Sequence, residues 1–275
     1  MTTQTQELAA PTLSKQEFAQ IRDLIFRIAG ISMSPAKMHL VSGRLGKRLR
    51  HYGISSFGEY FRFITAAGND AELQTAVDLL TTNETHFFRE PKHFSFLRDQ
   101  ILPARRKGRM FRVWSAASST GEEAYSIAML LADCLKDEPW EVIASDISTR
   151  VLEQASSGVY AMTSARELPR EYLSRFCLKG VGTNEGRFLI GKELRSRVSF
   201  HQVNLNEAFP SLGEFDVIFL RNVMIYFEQH TKQRIVHRML PLLTGHGYLF
   251  IGHSETLNGV TDAYRAVQPA IYQKP

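Results

Sequence analysis

Cysteine is scarce in this 275-residue chain, with Cys134 and Cys177 the only two. They form no Cys-x-x-Cys pair and no metal-ligand cluster, which points to a reduced, cytoplasmic setting rather than a disulfide framework or zinc module. His-x-x-x-His spacing is absent too, so nothing in the sequence calls for a metal. No apolar run reaches the roughly 18 residues that a bilayer-spanning helix needs, so membrane insertion is not expected. The opening MTTQTQELAAPTLSKQ lacks the basic-then-apolar layout of a signal peptide, and residues 1–13 read as a disordered tail. Internal repeats and low-complexity tracts are missing. So are a helix-turn-helix cue, a Lys/Arg-rich tail and an Asn/Asp-Pro-Pro-Tyr-like motif for a flipped base, which speaks against nucleic acid as partner.

What is present fits a globular chain of two domains: 44% hydrophobic and 22% charged residues, with a net charge of +5. Residues 14–82 read as helices. Ser14 and Glu17 have capping-box spacing, and Phe18, Ile21, Leu24, Ile25 and Ile28 repeat at helical spacing up to Gly30. Ser34-Pro35 opens a second helix reaching Tyr52, and 57–64 and 73–80 give two more. After Arg109 the character changes. Strands are expected at 111–116, 141–146, 198–203, 215–220 and 247–251. Helices are expected at 121–135, at 148–157 capped by Ser148, and at 231–243. Alternating strand and helix predicts a doubly wound, mostly parallel α/β sheet. Leu178 to Gly191 reads as an inserted antiparallel excursion, and Tyr264 to Tyr272 as a terminal hairpin. The expected division is a helical domain with linker over 14–90 and an α/β domain over 91–275.

Ligands of open α/β sheets sit beyond the carboxyl ends of the strands. The first strand runs into Ser115-Ala-Ala-Ser-Ser-Thr-Gly-Glu-Glu, a turn of small residues that lets the backbone approach a ligand. It is neither Gly-x-Gly-x-x-Gly nor a P-loop. Glu122 and Glu123 would repel a pyrophosphate but not a cation or zwitterion. S-adenosylmethionine, with a sulfonium and an ammonium and no phosphate, suits that charge pattern. The same two acids could instead simply complement the helix dipole. Asp146 ends the second strand, where an acid accepts from ribose hydroxyls or serves as a helix cap. Asn204, after the third strand, is a candidate for reading adenine or a loop-forming residue.

Five stretches, in order, carry a resemblance. They are Thr81-Thr-Asn-Glu-Thr-His-Phe-Phe-Arg-Glu, Val113-Trp-Ser-Ala-Ala-Ser-Ser-Thr-Gly-Glu-Glu-Ala-Tyr-Ser, Ala144-Ser-Asp-Ile, Phe215-Asp-Val-Ile-Phe-Leu-Arg-Asn-Val-Met-Ile-Tyr-Phe and Gly252-His-Ser-Glu. Across nearly its whole length the chain resembles the CheR family of chemoreceptor methyltransferases. The resemblance implies an N-terminal all-helical domain, a Rossmann-like S-adenosylmethionine-dependent methyltransferase domain and a small inserted β-subdomain. It implies methyl transfer to glutamate side chains of chemoreceptor cytoplasmic helices, releasing S-adenosylhomocysteine, by a cytoplasmic monomer. It makes Asn83, Thr85, Arg89, Ala117, Glu123, Asp146, Asn204, Leu205, Arg221 and Asn222 cofactor-contacting or lining residues. Arg89 and Tyr226 fall where the family places its catalytic pair. Departures are mild: Ser118 stands where alanine is frequent, and Ala124 where some members have proline.

A glutamate carboxylate is ionised at neutral pH, with a reference pKa of about 4.3, and needs no general base to attack a sulfonium methyl. Positioning and water exclusion then carry the catalysis. His86, His93 and His253 read as structural or lining groups. A non-catalytic module that binds the cofactor as a sensor or scaffold is the rival function.

The second helix sets Met38, Val41, Leu45, Leu49 and Tyr52 in an apolar stripe beside Lys37, Arg44, Lys47, Arg48 and His51. Between Lys37 and Arg50 lie five Lys/Arg and no acid. That face, with Arg44, Lys47 and Arg48 at its centre, is either solvated surface or a dock for an acidic receptor helix. The inserted β-subdomain is either a lid or a holder for a receptor C-terminal tail peptide, as the resemblance implies for some members.

Overall fold

The computed structural model describes residues 11–275. The tail expected over 1–13 therefore falls largely outside the described residues, and within the described part Leu13 is buried. The chain divides into two compact units, one ending at Thr81 and the other beginning at Thr82. Residues 82–90, expected to go with the helical domain as its linker, cluster with the second unit because Phe87 sits in that unit's core.

The first unit is helical: α1 (Lys15–Ala29), α2 (Met38–Tyr52), α3 (Phe57–Thr65) and α4 (Asp70–Leu80). Ser14 and Glu17 close the capping box at α1, and Gly30 ends it at φ 72°. A 3-10 turn, Pro35–Lys37, leads into α2. The middle of the expected α2 stripe is buried, with Val41, Leu45 and Leu49 in the core together with Ile21, Ile25 and Tyr60, whereas Tyr52 at its end is exposed and hydrogen-bonds Glu72. Glu72 is also buried. It accepts from Arg48 Nε at 2.8 Å, Tyr60 Oη at 2.6 Å and Tyr52 Oη at 3.0 Å, so its charge is compensated from three sides.

The second unit begins with α5 (Pro91–Phe96), a π-helical stretch at Leu97–Ile101 and α6 (Leu102–Ala104). The chain then runs β1 (Phe111–Ser115), α7 (Glu122–Leu135), β2 (Trp140–Asp146), α8 (Thr149–Ser157), β3 (Val159–Ala161), α9 (Arg170–Phe176), β4 (Cys177–Lys179) and β5 (Arg187–Ile190). It continues with α10 (Lys192–Arg195), β6 (Val198–Gln202), β7 (Phe215–Leu220), α11 (Gln229–Met239), β8 (Leu243–Ile251), β9 (Arg265–Gln268) and β10 (Ile271–Gln273). The main sheet has the order β6-β2-β1-β7-β8-β10-β9. Its first five strands are parallel, and β10 runs antiparallel to both neighbours. Val113, Val142, Val217 and Phe219 fill the sheet centre, covered by Ile127, Ala128 and Leu131 of α7, all fully buried. From β1 the chain steps outward to β2 and β6, then returns to the other side of β1 for β7 and β8. The carboxyl ends of β1 and β7 therefore bound a topological switch point, where such sheets bind ligands.

A second sheet, β3-β5-β4, is antiparallel. The insert is thus wider than the expected 178–191. It begins at Val159, because β3, at three residues, is too short to leave an alternating pattern. Ser148 precedes α8 as expected, but its hydroxyl makes no cap; the Ser148 amide instead donates to Asp146 Oδ1 at 3.0 Å. The helix expected over 231–243 breaks at Met239 into a 3-10 turn containing Pro241, and β8 starts earlier than expected, at Leu243.

Candidate active site

The small-residue turn after β1 is held from both neighbouring strands. Ala116 N–H donates to Phe219 O and Ser118 N–H to Ser145 O, each at 2.8 Å. Ser119 takes a positive φ of 49° and donates its N–H to Asp146 Oδ2 at 2.9 Å. Its hydroxyl donates to Asn83 O at 2.9 Å, bringing the Asn83–Glu90 arm against the turn. Gly121 is required at φ 94°: a Cβ there would lie 2.8 Å from Ala155 Cβ and from Tyr160 Oη. Ala117 is half-buried on the turn, and the Ser118 hydroxyl is buried without a hydrogen-bond partner. A narrow turn, an orphaned hydroxyl and the Asp146 carboxylate at the next strand end suit a phosphate-free, cationic nucleoside such as S-adenosylmethionine.

Arg221, the first residue after β7, lies at the switch point with its side chain 1% exposed. Nη1 donates to Glu123 Oε2 at 2.8 Å, and Nη2 reaches Glu90 Oε2 at 2.9 Å and Arg89 O at 2.5 Å. Ser115 Oγ, from the end of β1, donates to the other Glu123 oxygen at 2.6 Å. Burial pushes Glu90 up, but the Arg221 guanidinium overrides it and brings Glu90 down to about 2. Arg221 therefore reads as the structural centre of the site, and Glu123 is already engaged with Arg221 and Ser115.

Glu90 also accepts from Asn222 Nδ2 and His253 N–H, each at 3.2 Å. The backbone at Arg89 is thereby joined to the loop after β7 and to the end of β8. Arg89 itself donates to Glu84 O at 2.8 Å. Tyr226 closes a 3-10 turn, Met224–Tyr226, and is half-buried. Glu255 accepts from Asn222 N–H at 3.0 Å, Ile225 N–H at 3.2 Å and Gly252 N–H at 2.5 Å. Phe88, Glu90, Ser119 and Asn222 all have positive φ. Their gathering here is backbone strain held by the surroundings.

Glu90, His93 and His253 present ligand atoms within 4.8 Å of one another, the spacing of a metal site. His93 is buried, and burial with the nearby Arg221 brings it down to about 3, so its ring is neutral. Glu90 Oε2, however, faces the Arg221 guanidinium, which already supplies the cation a metal would supply. Thr85 and Asn204 are half-buried. Asn204 Nδ2 donates to Glu207 at 3.0 Å, and its Oδ1 accepts Asn206 N–H, an Asx turn. Leu205 is buried and its carbonyl accepts from Arg238 at 2.7 Å.

The basic face of α2 belongs to the helical unit, and there two expected docking residues have internal duties. Arg44 Nη1 donates to Leu79 O and Thr81 O at 2.9 and 2.8 Å, and Arg48 pairs with buried Glu72. Lys47 is exposed.

Two family models match the chain. The model described as "CheR methyltransferase, all-alpha domain" matches residues 16–81, and "CheR methyltransferase, SAM binding domain" matches residues 83–272. The chain belongs to the CheR methyltransferase family. A chemotaxis protein methyltransferase of Salmonella typhimurium is 44% identical over 98% of this chain and 92% of its own length. Chemotaxis protein methyltransferase 2 of Pseudomonas aeruginosa is 43% identical over 94% of this chain and 93% of its own. The Escherichia coli K12 chemotaxis protein methyltransferase is 45% identical over 90% of this chain and 86% of its own. This CheR protein is accordingly an S-adenosylmethionine-dependent methyltransferase with an all-helical N-terminal domain. Among its described residues no helix is long and apolar enough to cross a membrane.

Sequence reasoning missed Glu90 and Glu255, although both end matched motifs. An acid beside arginine or serine reads as solvated surface, and no local signal shows that it collects N–H donors from distant segments.

Proposed function

We propose that this chain methylates the γ-carboxylates of glutamates on chemoreceptor cytoplasmic helices, giving methyl esters and S-adenosylhomocysteine. The observation that carries this reading is the likeness, over nine-tenths or more of the chain, to proteins named chemotaxis protein methyltransferase. The cofactor supplies the electrophilic methyl group. Asp146 and the Ala117 turn hold the nucleoside side, with Asn83, Thr85, Asn204 and Leu205 around it. Arg89 orients the incoming carboxylate through its planar fork, and Tyr226 fixes one oxygen. The substrate is already ionised, so these residues position reactants and exclude water and move no proton. No metal takes part, and the protein works as a cytoplasmic monomer.

Two docking surfaces complete the reading. On α2, exposed Lys47 and Arg50 meet the acidic receptor helix, because Arg44 and Arg48 are engaged internally. On the small sheet, β4 is an edge, with Leu178 and Val181 exposed at 61% and 78%. Apolar side chains beside unpaired backbone groups suit a receptor tail peptide added as a further strand.

The test uses labelled S-adenosylmethionine and receptor-containing membranes. Label should enter receptor as base-labile ester. Arg89→Ala and Tyr226→Phe should lose turnover on the order of a hundredfold while retaining their fold. Cofactor binding without transfer to any receptor would instead mark a sensor or scaffold.

A further inference from the structure

We infer that Glu255 is a positioning residue that sets Tyr226 for methyl transfer, an inference that rests on the proposed role of Tyr226. Glu255 stands in a tight turn after β8. Its own N–H donates to Gly252 O at 2.9 Å, while its carboxylate takes the Gly252 N–H. The same carboxylate reaches across to the loop after β7 and accepts from the Asn222 and Ile225 amides. Asn222 has a positive φ of 57°, a left-handed conformation that asparagine adopts more readily than most other residues with a side chain, and the Glu255 bond to its amide helps hold it. Beyond it the chain closes directly into the 3-10 turn that ends at Tyr226, with Tyr226 N–H donating to Val223 O at 3.1 Å. Burial pushes the Glu255 carboxyl up, so its place is maintained against desolvation by these backbone amides.

Gly252 belongs to the same device. A Cβ there would stand 2.5 Å from Asn222 Nδ2, 2.9 Å from Asn222 N and 2.9 Å from Glu255 Oε2. Only a glycine lets the two loops approach closely enough for one carboxylate to serve both. Glu90 holds the Asn222 side chain, whereas Glu255 holds the backbone on the Tyr226 side.

The experiment is a double-mutant cycle on the full-length chain. Wild type, Glu255→Gln, Tyr226→Phe and the double variant are assayed on receptor membranes with kcat and KM resolved, and S-adenosylhomocysteine binding is followed by calorimetry. Glutamine keeps the size but turns an NH2 group toward amides that also donate. Glu255→Gln should lower kcat on the order of tenfold or more, with a smaller change in cofactor affinity. In the Tyr226→Phe background that loss should shrink to near nothing. An undiminished loss in the double variant, or full turnover in Glu255→Gln beside an impaired Tyr226→Phe, overturns the inference alone. Full turnover in Tyr226→Phe sinks the reading of Tyr226 and the inference with it. Should Glu255→Gln fail to bind S-adenosylhomocysteine at all, Gly252→Ala repeats the cycle by pressing on the same loop. The same kcat loss and the same dependence on Tyr226 are expected, and their absence overturns the inference.

Discussion

Arg221 and Glu90 form an ion pair at 2.9 Å with the arginine side chain almost wholly buried. Removing one partner of such a pair leaves a buried charge uncompensated, at a cost of about 3–5 kcal/mol. Arg221→Met, which strands both Glu90 and Glu123, should lower unfolding free energy by about that much. Arg221→Lys, unable to fork between two carboxylates, should fall in between. Denaturant midpoints with unchanged slopes would check it; near-wild-type stability in Arg221→Met would refute it.

Asp146 accepts N–H groups from Ser119 and Ser148 with different oxygens. An amide in its place can accept with one of them only. Asp146→Asn should therefore loosen the turn after β1 as well as remove a carboxylate from the nucleoside side. Calorimetry should find S-adenosylhomocysteine bound on the order of tenfold more weakly, from the loss of about one charge-assisted hydrogen bond.

Charge reversal on α2 should split into two phenotypes. Arg48→Glu places a second acid against buried Glu72 and should destabilise the helical unit, visible as a lowered melting temperature. Lys47→Glu should leave melting unchanged and weaken receptor methylation, most strongly at low ionic strength. Equal melting of the two variants would contradict this.

His93 gives stability a dependence on pH. Its ring titrates at about 3 in the fold, below the ordinary value of about 6.5. The unfolded chain binds the proton first, so this contribution is fully present above about pH 6.5 and is lost as pH falls toward 3. The slope is about 1.4 kcal/mol per pH unit. Glu90, held at about 2, adds a loss only below about pH 4.3. Glu122 and Glu255, pushed up by burial, act in the opposite sense. The difference between wild type and His93→Phe isolates the histidine. Denaturation midpoints from pH 7 to 4.5 should fall more steeply in wild type, and parallel curves would exclude the assignment.

Local signals were readable where one segment sufficed. The Ser14 and Glu17 capping box and the α2 stripe needed only a turn of helix, and the small-residue turn needed only its place after a strand. β3 escaped because three residues carry no period. The site's framework escaped for a different reason. Arg221 meets Glu90 across 131 positions and Glu123 across 98, distances that charge patterning along the chain does not span. Arg48 lies in an acid-free run, and its partner Glu72 stands 24 positions on in α4, beyond the reach of local charge patterning.

The small sheet is wired to the turn after β1, with Tyr160 Oη donating to Thr120 O at 2.7 Å and Phe188 stacking on Tyr160. An insertion built in this way is not a removable cassette. Recombination that exchanged the whole of it would also have to rebuild the turn after β1. Lineages are freer to lengthen or shorten the outer Gly182–Gly186 bend, where no neighbour crowds either glycine. Length variation should therefore concentrate in that bend while β3 stays constant in length.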